Sequence, residues 1–461
     1  MKIMSWLHNK LFWTVLIFLC AGAFRLTAMD LIEFKLDEAR DVYEMGKFWA
    51  APSIIIERGT IQSTGVYNPP LWYYFLAGVS VVSRDPQYLS FVIAFLNCVA
   101  VAGFYVFVRK FYGQFVAVSA GLLLAFSPWN ILFSRKIWAP DMVLVLAVPL
   151  FYFLHVILQG RTLNKVRPLQ KWASFFVPFL LSLLSQLHAS GIFLSVAVGL
   201  TMLLYVILGR SSSDDSRIDS GRARMTINWK YAILGLLVSL IPLLPYISYQ
   251  ARTGCADCKA LSTYQQGGAL LTPFFDSNAF LRPFQFIGGT SFDGALGTEG
   301  YQAFVQAYPF IGTLSFVSFF SFLLLPLGII YILQKKRELL FLPCMLMLVT
   351  LIYFFTQTAG YLYYFLIISP ITMLIYTLGI VHLGGVLGKG SATIRGVITI
   401  TIITVIIVIN IIFEFSLYQY LSIVKVVPGD YGPIYSVTKQ RAGQKGLPVE
   451  EYTISLYQQP Q

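Results

Sequence analysis

The sequence predicts an all-α polytopic membrane protein, and three observations predict it. The 461 residues are 57% hydrophobic and only 12% charged, and the mean hydropathy of +0.70 lies far above that of a soluble domain. Apolar runs long enough to cross a ~30 Å hydrocarbon core, about 20 residues each, recur from end to end. The alternating pattern of a membrane barrel is absent, so the runs must be helices, which satisfy their own backbone groups in lipid.

Taken in order, eleven spans are expected: 11–29, 90–108, 113–130, 140–158, 173–189, 190–208, 231–249, 309–333, 339–356, 361–382 and 396–413. The first follows a short basic start with Lys2 and Lys10. Its apolar part is longer than a signal core and no small-x-small cleavage site precedes Arg25, so it reads as a retained span. One further stretch, "NPPLWYYFLAGVSVVS" at Asn68 to Ser83, is short for a crossing and opens on two prolines.

The basic loops decide the status of that stretch. If it does not cross, then Arg109-Lys110, "GRTLNKVRPLQK", "GRSSSDDSRIDSGRAR", "QKKRE" and "GKGSATIR" all fall on the cytoplasmic side with the N-terminus. If it crosses, every cluster lands outside. It is therefore expected to be a juxtamembrane or re-entrant helix lining a cavity, which leaves an odd number of spans and the C-terminus outside. The expected organisation is a transmembrane module over 1–250 with a first outer loop at 30–90, an outer loop at 251–308, C-terminal spans at 309–413 and a short outer tail at 414–461. No internal repeat of the transporter kind stands out.

The net charge of +12 is accounted for by cytoplasmic loops and does not point to nucleic acid. Cys20, Cys98 and Cys344 lie in apolar runs as small core residues. Cys255 and Cys258 form "CADC" in an outer loop, where a disulfide is possible; with no further Cys or His pair nearby, they make half of a zinc site at most.

Four features carry possible chemistry. In "FKLDEARDVYEMG", Asp37, Asp41 and Glu44 share a helix face while Glu38 points elsewhere, near Arg40. That pattern fits a general base, and equally a solvated surface helix. A carboxylate drawn toward low dielectric gains affinity for a proton near neutrality. In "FSRKIWAPD", Ser134, Arg135 and Lys136 precede Asp141 at the outer end of a span, where cations break the positive-inside pattern. They suit a phosphate or a lipid head group. Asp141 is a candidate for chemistry or for simple favourable placement at a helix start. Tyr67, Tyr73, Tyr74, Tyr361, Tyr363 and Tyr364 fit an interfacial aromatic belt or a surface that stacks on sugar and isoprenoid. "SQLHASG" places Gln186 and His188 near the outer end of a span, as an interhelical hydrogen bond or a functional pair.

The order of these features, "LDEARDVY", "NPPLWYYF", "FSRKIWAPD" and "SQLH" after a first span ending in Arg, resembles the GT-C superfamily of integral-membrane glycosyltransferases. The likeness is greatest to the branch of protein O-mannosyltransferases and lipid A aminoarabinose transferase, and covers roughly the first 250 residues. The resemblance implies transfer of a hexosyl or pentosyl group from a polyprenyl-phosphate donor to a glycan, lipid or protein acceptor, as in cell-envelope glycan synthesis. The protein would sit in the cell (inner) membrane with its site facing the periplasm. It further implies Asp37 as the catalytic carboxylate with Glu38 beside it and Ser134, Arg135 and Asp141 as the "SR…D" motif. Relatives often carry Lys or His where this chain has Asn68, which moves the donor phosphate toward Arg135 and Lys136. Asn68, Tyr73, Tyr74, His188, Tyr363 and Tyr364 are then the expected substrate-binding residues. No cofactor is required, although a divalent cation between Asp37 and Asp141 is conceivable.

The expected reaction is an inverting displacement in which Asp37 takes the acceptor proton and cations stabilise the departing lipid phosphate. Asp41 and Glu44 are then left as the wet face of their helix. A flippase or a polymerase of lipid-linked saccharides is the alternative.

Overall fold

The computed structural model describes residues 9–51, 55–62, 65–158, 167–211, 227–266, 275–289, 291–314, 316–356, 361–388, 391–429 and 431–458. Most of the three expected cytoplasmic loops at 160–171, 209–224 and 388–395 lies outside the described residues. A helix occupies each of the eleven expected span positions. Among the described residues, seven helices are long and apolar enough to cross a membrane: Pro86–Tyr112, Ala139–Leu158, Ala189–Ile207, Trp229–Arg252, Arg337–Phe355, Leu362–Leu387 and Ala392–Val424. Gln114–Ala125 and Phe320–Lys335 are shorter apolar helices. The protein is a multi-pass, almost wholly helical membrane protein.

Local sequence explains where helices stop. The expected span 113–130 is interrupted, because Pro128 pushes Ser127 into the extended region (ψ 118°) and the chain restarts as the short helix Pro128–Leu132. Gly113, at φ +88°, makes the turn between the helices Pro86–Tyr112 and Gln114–Ala125. The proline-led stretch forms a helix only over Leu71–Val79. Nine residues rise about 14 Å, well short of a crossing.

The last long helix runs unbroken over Ala392–Val424, past the end of the expected span at 413. At about 50 Å it exceeds a bilayer's hydrocarbon core.

Helices associate here through close packing, since lipid supplies no hydrophobic drive between them. A Cβ on Gly379 would lie 2.0 Å from the Leu324 carbonyl oxygen, and one on Gly328 2.1 Å from that of Ile375. These two glycines let Phe316–Lys335 and Ser369–Leu387 touch backbone to backbone. Burial then sorts the bundle: 89% of the span in Leu362–Leu387 is buried, against 11% in Trp229–Arg252. The first is central and the second peripheral.

The C-terminal segment from Val426 folds back on the segment that follows the first helix. A two-stranded hairpin pairs Val426 with Pro433 and Val427 with Gly432. Beyond it Ile434 forms an antiparallel bridge with Glu33, and the Tyr435 N–H donates to the Ile32 carbonyl at 2.9 Å. The final helix, Val449–Gln458, packs on the acidic helix Leu36–Ala50.

Candidate active site

The acidic helix begins at Leu36, and its first turn is capped by Glu38, whose carboxylate accepts the Lys35 N–H at 3.0 Å. Glu38 is buried in that role. Asp37 lies on the outer face, its side chain 51% exposed, paired with Arg40 at 2.9 Å. One turn on, Asp41 departs from the expected wet face. It is fully buried and accepts the Trp72 indole N–H at 2.7 Å and the Tyr73 hydroxyl at 3.2 Å. Burial pushes its carboxyl up to about 8, against the lowering effect of the Trp72 hydrogen bond. The helix rotates Asp41 under the proline-led helix, which sequence spacing within one element does not reveal. Glu44 stays half exposed and pairs with Lys47 at 2.6 Å.

The proline-led segment is similarly tied to protein. The Asn68 side chain donates to Thr60 Oγ1 at 2.9 Å and accepts from Gln62 Nε2 at 2.5 Å. The Tyr74 hydroxyl donates to the Ile56 carbonyl at 2.6 Å. Asn68, Tyr73 and Tyr74 thus have polar atoms engaged within the fold.

Arg135 and Lys136 stand beside Glu33 on one cavity wall. Arg135 donates to the Thr27 and Ala28 carbonyls at 2.8 and 2.5 Å and lies over the Tyr418 ring, 4.6 Å from its centroid. Burial pulls its guanidinium down to about 10, which leaves it charged at neutral pH. Ser134 donates to the Ile131 carbonyl and so serves its own turn. The Lys136 backbone N–H is held by Asp141 Oδ2 at 2.9 Å, and Asn97 in turn donates to the Asp141 carbonyl at 2.9 Å. The Lys136 ammonium pairs with Glu33, a buried carboxylate that also pairs with Lys35. A cavity of about 20 Å³ opens there, lined by Glu33, Arg135, Lys136, Glu414, Tyr418 and Tyr431 among others.

An aromatic tier continues from this cluster. The Lys136 ammonium lies over the Phe133 and Trp138 rings at 5.2 and 6.0 Å. Trp138 meets Tyr363 at 4.8 Å, Tyr363 meets Tyr364 at 4.4 Å, and Tyr364 meets the His188 ring at 5.0 Å. His188 itself is held by Ser190, with Nδ1 2.9 Å from Oγ. Lys136, Tyr363, Tyr364 and His188, far apart in sequence, are therefore joined through Trp138 by one run of contacts.

Sequence reasoning missed Glu33, Glu414 and Tyr431. A lone acid in "IEF" or inside an apolar helix carries no motif, and the only signal was a charge where charge is costly. Gln186 donates to the Ser239 carbonyl at 2.8 Å, an interhelical bond. Cys255 and Cys258 form a disulfide. Asp37 is half exposed and Asp141 is buried. Among the described residues no group of three or more His, Cys, Asp or Glu is arranged to hold a metal.

No protein-family model matches the chain, and a search of curated proteins gives no match. Solved structures do match. ArnT from Cupriavidus metallidurans bound to undecaprenyl phosphate aligns with a TM-score of 0.55 at 11% identity, over 88% of this chain and 75% of that one. This is a GT-C-like fold. The same GT-C protein in its apo state aligns at a TM-score of 0.51 with 13% identity, again over 88% and 75% of the two chains. A weaker likeness, TM-score 0.47 at 13% identity, is to the Archaeoglobus fulgidus oligosaccharyltransferase in the apo form, over 98% of this chain and 60% of that one.

Proposed function

We propose that the chain is a membrane glycosyltransferase that moves a hexosyl or pentosyl group from a polyprenyl-phosphate donor to an acceptor hydroxyl at the outer face. The observation that carries this reading is the placement of Lys136. Its ammonium stands at a cavity with Arg135 on one side and at the head of an aromatic tier on the other, which suits a phosphate joined to a sugar and an isoprenoid chain. The GT-C-like fold supports it, as does the undecaprenyl phosphate bound to ArnT.

Asp37 is the proposed base. Its side chain is half exposed, and four residue steps from Glu33 on the cavity wall reach at most about 14 Å. The acceptor oxygen attacks the anomeric carbon, and its proton passes to Asp37. The bond from that carbon to the phosphate oxygen breaks, and its electron pair leaves on the lipid phosphate, where Arg135 and Lys136 stabilise the charge. One displacement inverts the anomeric centre. No step is routed through a metal.

The test is to incubate the purified protein in lipid with radiolabelled polyprenyl-phosphate sugars and candidate acceptors. Asp37→Asn is expected to lower transfer about 10²- to 10⁴-fold. Undiminished transfer would remove Asp37 from the role of base, and no transfer by the wild type from any donor would overturn the reading as a whole.

A further inference from the structure

We propose that the Glu33 carboxylate is a built-in stand-in for the donor phosphate at Lys136, and that Lys35 receives it when the donor binds. The inference rests on the polyprenyl-phosphate reading above and adds how that site is kept when empty.

Glu33 is only 2% exposed, and its two oxygens face two ammonium groups, Lys35 and Lys136. On the cavity wall Glu33 and Glu414 stand with Arg135 and Lys136, and Glu33 pairs directly with the Lys136 ammonium, so that ammonium already has a counter-ion without a guest. An unpaired buried cation is costly, and a nearby carboxylate removes that cost in the empty protein. A phosphate entering the same wall would add negative charge beside Glu33, which a low-dielectric site resists. At about 20 Å³ the cavity holds roughly one water, so a phosphoryl group gains its place at Lys136 only as the carboxylate leaves it.

The geometry provides the exit. The Lys35 side chain is 27% exposed against 11% for Lys136, so a Glu33–Lys35 pair sits closer to water than the Glu33–Lys136 pair. The backbone does not need to move. Glu33 is pinned by its bridge to Ile434, and the Lys35 N–H is capped by Glu38. A change of Glu33 side-chain rotamer suffices, a fast event compared with turnover. Arg135 remains fixed by the Thr27 and Ala28 carbonyls, with a buried Nε that has no hydrogen-bond partner among the described residues. After transfer, Glu33 returning to Lys136 expels the lipid phosphate product.

The experiment measures binding of a fluorescent polyprenyl monophosphate to the full-length protein in lipid nanodiscs. Glu33→Gln keeps the shape and removes the competing charge, and is expected to tighten binding by about tenfold. Loss of a merely structural residue would weaken it. Lys35→Met removes the receiving ammonium and leaves Glu33 on Lys136, and is expected to weaken binding several-fold. Equal or weaker binding by a Glu33→Gln protein with an unchanged unfolding midpoint overturns the inference. If that variant does not fold, Lys35→Met decides, and unchanged or tighter binding overturns it. Wild-type binding with neither change leaves the donor reading standing alone, whereas a wild type that binds no polyprenyl phosphate removes both.

Discussion

The two tyrosine-rich segments, Leu71–Phe75 and Tyr361–Phe365, look alike in sequence and are used differently. In the first, the Trp72 indole and the Tyr73 and Tyr74 hydroxyls each donate to a protein acceptor: Asp41 for the first two, and the Ile56 carbonyl for the third. In the second, the rings lie against one another and against Trp138 and His188, and Tyr361 is 52% exposed. The first segment joins the proline-led helix to the acidic helix, whereas in the second the Tyr363 and Tyr364 hydroxyls bond to each other and Tyr361 stays exposed. An aromatic-rich motif therefore has no fixed meaning. What separates the two is whether the polar atoms reach across to another element.

The largest effect expected from this contrast is on stability in the first segment. Trp72 is 2% exposed, and Trp72→Ala is expected to cost about 3–5 kcal/mol, read as a lower unfolding midpoint in detergent. Its donor KM, measured on the folded fraction, should change little. A large KM change with an unchanged midpoint would reverse the roles of the two segments.

Asp41 sharpens the same point through pH. Its folded carboxyl titrates at about 8 against 3.8 for the free group. The folded state therefore holds a proton that the unfolded state has lost between those values. Stability from this group is complete below about pH 4 and falls as pH rises to about 8, by at most about 1.4 kcal/mol per pH unit. Asp41→Asn should flatten the midpoint-versus-pH profile across that window. An unaltered profile would mean that Asp41 is not held in a water-poor site.

A smaller effect is expected at the clasp beside the first segment. The Tyr67 N–H donates to Asp257 at 3.2 Å, and Asp257 also takes the Tyr246 hydroxyl, within the turn closed by Cys255 and Cys258. The loop is so short that removing the bridge with Cys255→Ser and Cys258→Ser should cost about 2 kcal/mol or less. The smallest effect is expected from Tyr361→Ala. Loss of one stacking ring should raise donor KM by roughly two- to tenfold with the midpoint nearly unchanged. A midpoint that falls as far as in Trp72→Ala would show that the second segment is scaffold too.

Much of this molecule was legible beforehand for a physical reason: lipid makes helix placement a matter of local composition. Each apolar run marked a place that helix occupies, and two prolines followed by a short apolar stretch sufficed to indicate a helix too short to cross. The acidic helix and the Arg135-Lys136 pair were likewise visible, because charge beside a membrane is conspicuous. The meaning of individual residues was not visible. Asp37 and Asp41 differ by one turn, and only the proline-led helix packed above them makes one wet and the other dry.

By itself, then, the sequence determined a helical multi-pass protein with candidate acids and cations on one side, since hydropathy and charge act locally. Tertiary structure alone decided that Lys136, Tyr363, Tyr364 and His188 are joined by one run of contacts, that Glu33 pairs with the ammonium of Lys136, and that the tail crosses back to pin Ile32 and Glu33. These are long-range contacts, set by which helix faces meet, and no pattern within one segment specifies them.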